Sequence, residues 1–255
     1  MHFMFKLTPA AGLLCLMLIA PVLISGKRGD FVSLPNTFLN HKGTVNDKAR
    51  SNGSVLERAD MVYDSLCLEN YGINIKAFEY AWKGYQYLLK KGWLKNRAVL
   101  SICDFSQSSK NKRLYVIDLA VMKVVFNTYV AHGKNSGGEY ARSFSNSANS
   151  HKSSLGFYIT GNTYYGDNGF SLNLEGLESG INDKADRRRI VVHGADYLGD
   201  GFLSGSQLIN GRSYGCPAIP AEYTPDIINT IKNGSCLFIY YPTKSYLTKS
   251  RIING

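Results

Sequence analysis

The feature that most constrains the fold is a change in hydrophobic period near residue 98. Beyond it, the apolar runs are short, rich in β-branched and aromatic residues, and separated by stretches of Gly, Asn and Ser. Runs of this kind are typical of β-strands. They read AVLSICDFSQ, RLYVIDLA, KVVFNTYVAHG, SLGFYITG, RRIVVHGA and CLFIYYPT. The pattern predicts a predominantly β, largely antiparallel domain over residues 98–255, with one helix from Pro225 to Lys232.

Before residue 98 the period is helical. In SVLERADMVYDSLCLEN, the apolar residues three and four apart are Val55, Ala59, Val62 and Leu66. Ser54 and Glu57 match a capping box at its start. A second amphipathic helix in IKAFEYAWKGYQYLLKKG has on one face Phe78, Trp82, Tyr85 and Leu89. An aromatic stripe at helical spacing is typical of a core, and Gly92 can end the helix. Residues 54–97 are therefore predicted to form a short α-helical segment.

The first 26 residues have the pattern of an export segment. A lone Lys6 precedes an apolar stretch from Pro9 to Ile24, and the chain turns polar at Lys27. This pattern is typical of a signal peptide or a short N-terminal membrane anchor. The large Ile24 makes cleavage after Gly26 poor, so both alternatives stay open. Residues 27–53 are polar and aperiodic, which predicts a linker.

The charge balance favours an anionic partner. Lys and Arg number 29 against 19 acidic residues, which gives a net charge of +10 and a pI near 9.3. The basic residues are scattered, apart from Lys90-Lys91 and the run 187–189, and neither lies in a nucleic-acid-binding module. We therefore expect no nucleic-acid partner. The sequence has no CxxC and no Cys/His pair at zinc-finger spacing, so we expect no metal and no cofactor.

The cysteines beyond the export segment fall into different settings. Cys103 and Cys236 lie in apolar strand-like runs and are predicted to be core residues, and Cys67 is predicted on the apolar face of the first helix. Cys216 is different, because GRSYGCPA contains little apolar material to bury it. It could pair in a disulfide with Cys236 or Cys67, or act as a nucleophile.

A catalytic cysteine needs a nearby base or cation to lower its pKa. Two histidines precede glycine at the end of an apolar run, His132 in YVAHGKNSG and His193 in IVVHGADY. A lone histidine at a strand end is usually solvated or structurally satisfied, which is our expectation for His132. His193 is followed by the loop with Cys216, so His193 is a candidate base and Cys216 a candidate nucleophile. The backbone amides of Tyr214, Gly215 and Cys216 are candidate oxyanion donors.

VVHGA followed by GRSYGCPAI resembles the catalytic signature of the murein L,D-transpeptidase catalytic-domain-like family. The resemblance continues upstream in VAHGKNSG, FSN, SSLGFYITG and LEGLESGIN, and covers roughly residues 98–241. It implies an L,D-transpeptidase-like β-sandwich or barrel with few helices.

The resemblance also implies roles for single residues. Cys216 matches the nucleophile and His193 its base, and the backbone carbonyl of Gly194 would orient the imidazole. Ser213 matches the Ser/Thr of the loop, and Arg212 beside it is a candidate contact for a substrate carboxylate. Two departures stand out: Tyr214 replaces the histidine of the usual loop, and Pro217-Ala218 replaces the arginine expected soon after the cysteine.

The resemblance implies cleavage of the L,D bond in a peptidoglycan stem tetrapeptide. The acyl group would form a thioester and pass to the side-chain amine of another stem. The alternatives are an L,D-carboxypeptidase or cysteine hydrolase that uses water, and a non-catalytic wall-binding module. The expected location is extracytoplasmic, in the cell envelope. Nothing in the sequence predicts the oligomeric state.

Overall fold

The computed structural model describes residues 54–200 and 212–255. The predicted export segment and linker lie outside these residues. The helices are α1 (Val55–Ser65), α2 (Ile75–Lys90), α3 (Thr224–Ile231), α4 (Lys244–Lys249) and α5 (Arg251–Asn254). The strands are β1 (Val99–Asp104), β2 (Leu114–Asp118), β3 (Lys123–Thr128), β4 (Gly156–Gly166), β5 (Gly169–Gly176), β6 (Val191–Ala195), β7 (Ala218–Pro220) and β8 (Cys236–Tyr240). The predicted mostly β architecture, preceded by a short helical segment, is confirmed.

All eight strands form one sheet, in the order β3-β2-β1-β8-β4-β5-β6-β7. The pairings are antiparallel except β1 with β8 and β6 with β7, which are parallel. The chain that leaves β3 at one edge also reaches β7 at the other, where Ala131 bridges Ala218. The sheet is therefore curled into a nearly closed barrel.

Strands β5 and β7 and helices α4 and α5 were not anticipated from the hydrophobic pattern. Strand β5 has the sequence GFSLNLEG, in which polar residues interrupt the apolar ones, and β7 is only three residues long and ends at Pro220. Both are held by neighbouring strands, because β5 lies between β4 and β6 and β7 pairs along β6. Pairing in the sheet, not local propensity, makes them strands.

The two helices predicted before residue 98 are confirmed. The capping box is present, since the Ser54 amide donates to Glu57 Oε2 at 2.6 Å and the Glu57 amide donates to Ser54 Oγ at 3.2 Å. The aromatic stripe of α2 is core: Phe78, Trp82 and Tyr85 are buried.

The prediction for Cys67 is wrong. Helix α1 ends at Ser65, and Cys67 adopts a left-handed conformation with φ +48° and an exposed side chain. The left-handed residue turns the chain out of the helical path, so the apolar face of the helix stops at Leu66.

Helix α2 packs closely on the sheet through a glycine. A Cβ on Gly84 would lie 1.9 Å from Cζ of Phe157 in β4, so only glycine allows this approach. Phe157 in turn stacks on Phe238 of β8, with ring centroids 4.2 Å apart. One hydrophobic core therefore joins the helical segment and the centre of the sheet.

Candidate active site

The pairing of strands β6 and β7 brings the turn that contains Cys216 next to the strand that contains His193. His193 lies in β6 and is paired in parallel register with Ala218, the first residue of β7. Cys216 lies two residues before Ala218, in the turn that leads into β7. The register of this short parallel pair thus places the turn with Cys216 beside the strand with His193.

The tautomer of His193 follows from its hydrogen bond. Its Nδ1 lies 2.8 Å from the carbonyl oxygen of Gly194, and a carbonyl can only accept, so Nδ1 carries the proton. The lone pair of Nε2 is then available to take a proton. Burial lowers the pKa of His193, and the bond to Gly194 opposes that change only in part. The imidazole is therefore neutral at neutral pH.

The Cys216 thiol is nearly buried and contacts the backbone that leads into β6. Its Sγ accepts from the Val191 amide at 3.5 Å and faces the Arg189 carbonyl oxygen at 3.6 Å. No hydrogen bond joins Sγ to His193 in the described structure. Burial raises the pKa of Cys216, while the Val191 amide and the charge of Arg188 act against it. The resting thiol is protonated, which differs from the lowered pKa expected from sequence.

The turn before Cys216 is braced by Ser213. Ser213 Oγ donates to the Cys216 carbonyl oxygen at 2.5 Å and accepts from the Gly215 amide at 3.0 Å. The Gly215 amide is thus engaged inside the turn. Of the three amides proposed as oxyanion donors, only those of Tyr214 and Cys216 remain.

Glycine is required at position 215. Its φ is +125°, and a side chain there would come 2.9 Å from the Lys152 carbonyl oxygen and 3.2 Å from Arg188 Nη2. Its own carbonyl accepts from Ser153 Oγ at 3.2 Å. The segment around residues 150–154 therefore packs directly against the turn that contains Cys216.

The segment after β3 holds the other side of the turn. The Ser213 amide donates to the His132 carbonyl oxygen at 2.9 Å, and the Lys134 amide donates to the Ser213 carbonyl oxygen at 2.7 Å. With the bridge from Ala131 to Ala218, this segment pairs along the catalytic loop as an additional short strand would.

The side chain of His132 is neither solvated nor placed as a base. Strand β3 ends four residues earlier, and His132 is fully buried. Arg113 Nη2, which can only donate, lies 2.7 Å from His132 Nδ1. Burial and the charge of Arg113 lower the pKa of His132 to about 4. As expected for a structural histidine, Nδ1 of His132 has a hydrogen-bond partner. Its Nε2 has no hydrogen-bond partner among the described residues.

Tyr214 and Arg212 lie on the outer side of the turn. The Tyr214 side chain is 67% exposed, its ring centroid is 4.7 Å from that of His151, and Lys134 Nζ lies 4.1 Å from the ring centroid. Arg212 is also exposed, and its Nη1 lies 3.4 Å from the Gly137 carbonyl oxygen. Both are available to a ligand that enters from this side.

Two residues near the turn were missed by sequence reasoning. Ser153 belongs to a Ser- and Asn-rich stretch that is typical of a loop, yet it is fully buried beneath Gly215. Arg188 is the middle residue of the run 187–189, which indicated only a surface cluster. Nothing in the local sequence distinguishes Ser153 from the exposed residues of the same stretch. For Arg188 there was a signal, because the arginine run lies just before β6, the strand that contains His193.

The structure excludes the disulfide alternative among the described cysteines. Cys67, Cys103, Cys216 and Cys236 are all free thiols, and Cys103 and Cys236 are buried in β1 and β8 as predicted. Within residues 54–200 and 212–255, no three His, Cys, Asp or Glu side chains are grouped so as to hold a metal ion.

Two cavities flank β6. One of about 440 Å³ is lined by the tip of the β4–β5 hairpin together with Arg189 and Val191, the residues whose backbones contact the thiol. The other, of about 530 Å³, is lined by the same hairpin tip and by Gly194. Val191 and Gly194, which lie on either side of His193 along β6, each line one of these cavities, whereas His193 lines neither of the two.

This arrangement of a cysteine turn beside a strand-borne histidine, in a curled mostly β sheet, agrees with a family assignment from sequence. The profile of the L,D-transpeptidase catalytic domain matches residues 69–240, which is more than half of the chain. The protein belongs to the L,D-transpeptidase catalytic domain family. The match begins before α2, so it includes a helix that the motif resemblance left outside.

Solved structures that resemble the chain include other members of this class. An L,D-transpeptidase from Mycobacterium smegmatis is 10% identical with a TM-score of 0.34, and the LD transpeptidase LdtMt1 in complex with imipenem is 11% identical with a TM-score of 0.34. Each comparison covers 56% of this chain and 59% of the other. The helical cell shape determining protein Pgp2 from Campylobacter jejuni is 16% identical with a TM-score of 0.35, over 68% of this chain and 62% of that one.

A search of curated proteins found no match. Among the helices described here, none has the length and apolarity needed to cross a membrane.

Proposed function

We propose that the protein is a cysteine-dependent L,D-transpeptidase that acts on peptidoglycan stem peptides. Cys216 is the nucleophile and His193 the general base. The proposal includes the chain organisation expected from sequence: residues 1–26 export or anchor the protein, residues 27–53 form a linker, residues 54–97 form a helical segment, and residues 98–255 form the catalytic domain. The protein then works outside the cytoplasm, in the cell envelope.

The observation that carries the proposal is the pairing of β6 with β7. The turn with Cys216 lies against β6, where Sγ contacts the backbones of Arg189 and Val191. Two residues beyond Val191, His193 has its Nδ1 already bonded to the Gly194 carbonyl oxygen at 2.8 Å. A wall-binding module would need neither a free thiol in a braced turn nor an imidazole with a fixed tautomer. Membership of the family supplies the reaction class.

The chemistry follows from these groups. As Cys216 Sγ attacks the carbonyl carbon of the scissile bond, His193 Nε2 takes the thiol proton. The oxyanion is stabilised by the amides of Tyr214 and Cys216. His193 then gives the proton to the departing amine, and a thioester remains on Cys216.

An amine of a second stem attacks the thioester, transfers a proton to His193, and releases the cross-linked product and the free thiol. Water in place of that amine would give a carboxypeptidase, and the net charge of +10 is suited to an anionic wall polymer in either case.

The test is incubation of the purified protein with muropeptides that carry tetrapeptide stems, followed by mass analysis. We expect cross-linked dimers from the wild type, none from Cys216→Ala, and unchanged yield from Cys67→Ser, which removes the exposed thiol. Products that have only lost a residue would assign the carboxypeptidase reaction. No product from a folded wild type, or turnover of pentapeptide stems alone, would contradict the proposal.

A further inference from the structure

Arg188 lies beneath the catalytic turn, although its neighbours Arg187 and Arg189 are exposed. Its guanidinium is half-buried and donates to the carbonyl oxygens of Ser145 at 2.8 Å and Lys152 at 2.6 Å. It also bonds the hydroxyl of Ser154, and Nη2 lies 3.3 Å from Ser150 Oγ. One side chain thus holds the segment 145–154.

The same guanidinium faces the nucleophile turn. Nη2 lies 3.2 Å from the place that a Cβ on Gly215 would occupy, one residue before Cys216. None of the ion pairs in the described part of the chain includes Arg188; they join Lys76 to Glu79, Lys110 to Glu139, and Lys112 to Asp200. The positive charge is therefore not cancelled by a carboxylate at contact distance.

We infer that Arg188 is a positioning residue for Cys216, which seats the segment 145–154 against the turn and supplies the fixed positive charge that stabilises the thiolate. The inference rests on Cys216 being the nucleophile of the proposed function. It also accounts for a departure noted in the sequence, because Pro217-Ala218 stand where an arginine was expected and a cation reaches the turn from another element instead.

Two effects of Arg188 on the thiol can be separated. A cation close to a thiol favours its charged form, and a charge within about 4–6 Å shifts a pKa by roughly one to three units. The hydrogen bonds to the segment 145–154 need the forked guanidinium, whereas the electrostatic effect needs only a positive charge. Lysine retains the charge without the fork, and glutamine retains neither.

The experiment measures alkylation of Cys216 by iodoacetamide as a function of pH, in the full chain, with peptide mapping. We expect Arg188→Gln to move the midpoint of the profile upward by about one unit, so that labelling near neutral pH slows by about tenfold. Arg188→Lys should stay within about twofold of the wild type. Arg187→Gln, a loss of the same charge one residue away at an exposed position, should leave the profile unchanged.

Cys67 is the internal reference, because it is exposed and lies in the helical segment. Its labelling should be the same in all four proteins. A folded Arg188→Gln protein with the wild-type profile would overturn the inference, and so would an Arg188→Lys profile shifted as far as that of glutamine. If Arg188→Gln does not fold, the Arg188→Lys profile decides alone: a wild-type profile supports the inference and a shifted one overturns it.

These outcomes are distinct from failure of the proposed function. A protein that gives no muropeptide product, but whose Cys216 labelling depends on the charge at residue 188, would contradict the transpeptidase proposal and leave the role of Arg188 intact.

Discussion

His193 and Cys216 are both buried, and burial acts on their pKa values in opposite directions. It raises the pKa of the thiol and lowers that of the imidazole, because it disfavours the charged form of each. Both groups are therefore neutral at rest. In the proposed reaction, charge would separate only as the bond to the substrate forms, as in a hydroxyl–imidazole pair and unlike a preformed thiolate–imidazolium pair.

This state predicts the acid side of the pH profile. His193 must be neutral to accept the thiol proton, and its pKa in the folded protein lies below the ordinary value of 6.5. We expect the acid limb of kcat/KM for muropeptide cross-linking, along which His193 becomes protonated, to be centred below pH 6.5. His193→Gln should lower the rate at all pH values and remove this limb. An acid limb centred above pH 6.5 would contradict the assignment.

At the residue scale, the sequence was sufficient to propose Cys216, His193 and Gly194 as candidate site residues, since the three lie within two short motifs. It was not sufficient for Arg188. In a run of three arginines, the sequence does not indicate which side chain is buried. The burial of Arg188 depends on the turn that ends at Arg189, whose φ is +54°.

At the scale of elements, the close contact between α2 and β4 depends on the absence of a side chain at Gly84. Phe157 occupies the space beside Gly84. The amphipathic pattern of α2 indicated which face is buried, but it contained no information on how closely the helix approaches. The same holds for β5 and β7, whose strand conformation depends on neighbours that are distant in sequence.

We expect Gly84→Ala to destabilise the protein. The new methyl group would overlap the Phe157 ring, and overpacking of a core costs about 1–3 kcal/mol. In a helix free of such contacts, the same change would be stabilising by up to about 1 kcal/mol. The measurement is the free energy of unfolding in urea, with Lys90→Ala at an exposed position of α2 as control. A Gly84→Ala protein as stable as the wild type would show that α2 does not pack as described.

At the scale of the whole molecule, a buried cation and a buried histidine connect the sheet to the loop that contains Ser213 and Cys216. Arg113 of the β1–β2 connection is fully buried and donates both to the Val130 carbonyl oxygen, at 3.1 Å, and to His132. The His132 backbone in turn bonds Ser213. Protonation of His132 would place a second positive charge beside Arg113 inside the core.

This arrangement predicts a loss of stability in acid. The pKa of His132 is about 4 in the folded protein and near 6.5 in the unfolded chain. Since the unfolded chain binds the proton first, stability should fall as the pH drops from 6.5 to 4, by about 3 kcal/mol at most. The measurement is urea unfolding at pH 7 and pH 4.5.

The matched variant is His132→Asn, whose side-chain oxygen can accept from Arg113 but does not titrate in this range. We expect it to lose less stability between the two pH values than the wild type. His151→Asn, which alters a half-buried histidine beside Tyr214, serves as control and should lose as much as the wild type. Equal losses in the wild type and His132→Asn would show that His132 does not cause the acid sensitivity.

The sequence by itself determined the mostly β class and the capped helices before it, and it indicated Cys216 and His193 as the candidate pair, because periodicity, capping and short motifs are local properties of the chain. Only the tertiary structure decided that the segment after β3 closes the sheet onto β7, that the Gly215 amide is used inside the turn, and that the side chain of Arg188, and not those of Arg187 and Arg189, lies beneath the turn that contains Cys216. The physical reason is that these features depend on backbone pairing and burial between residues far apart in the chain, and no local pattern of hydrophobic or polar residues records which distant partners will meet.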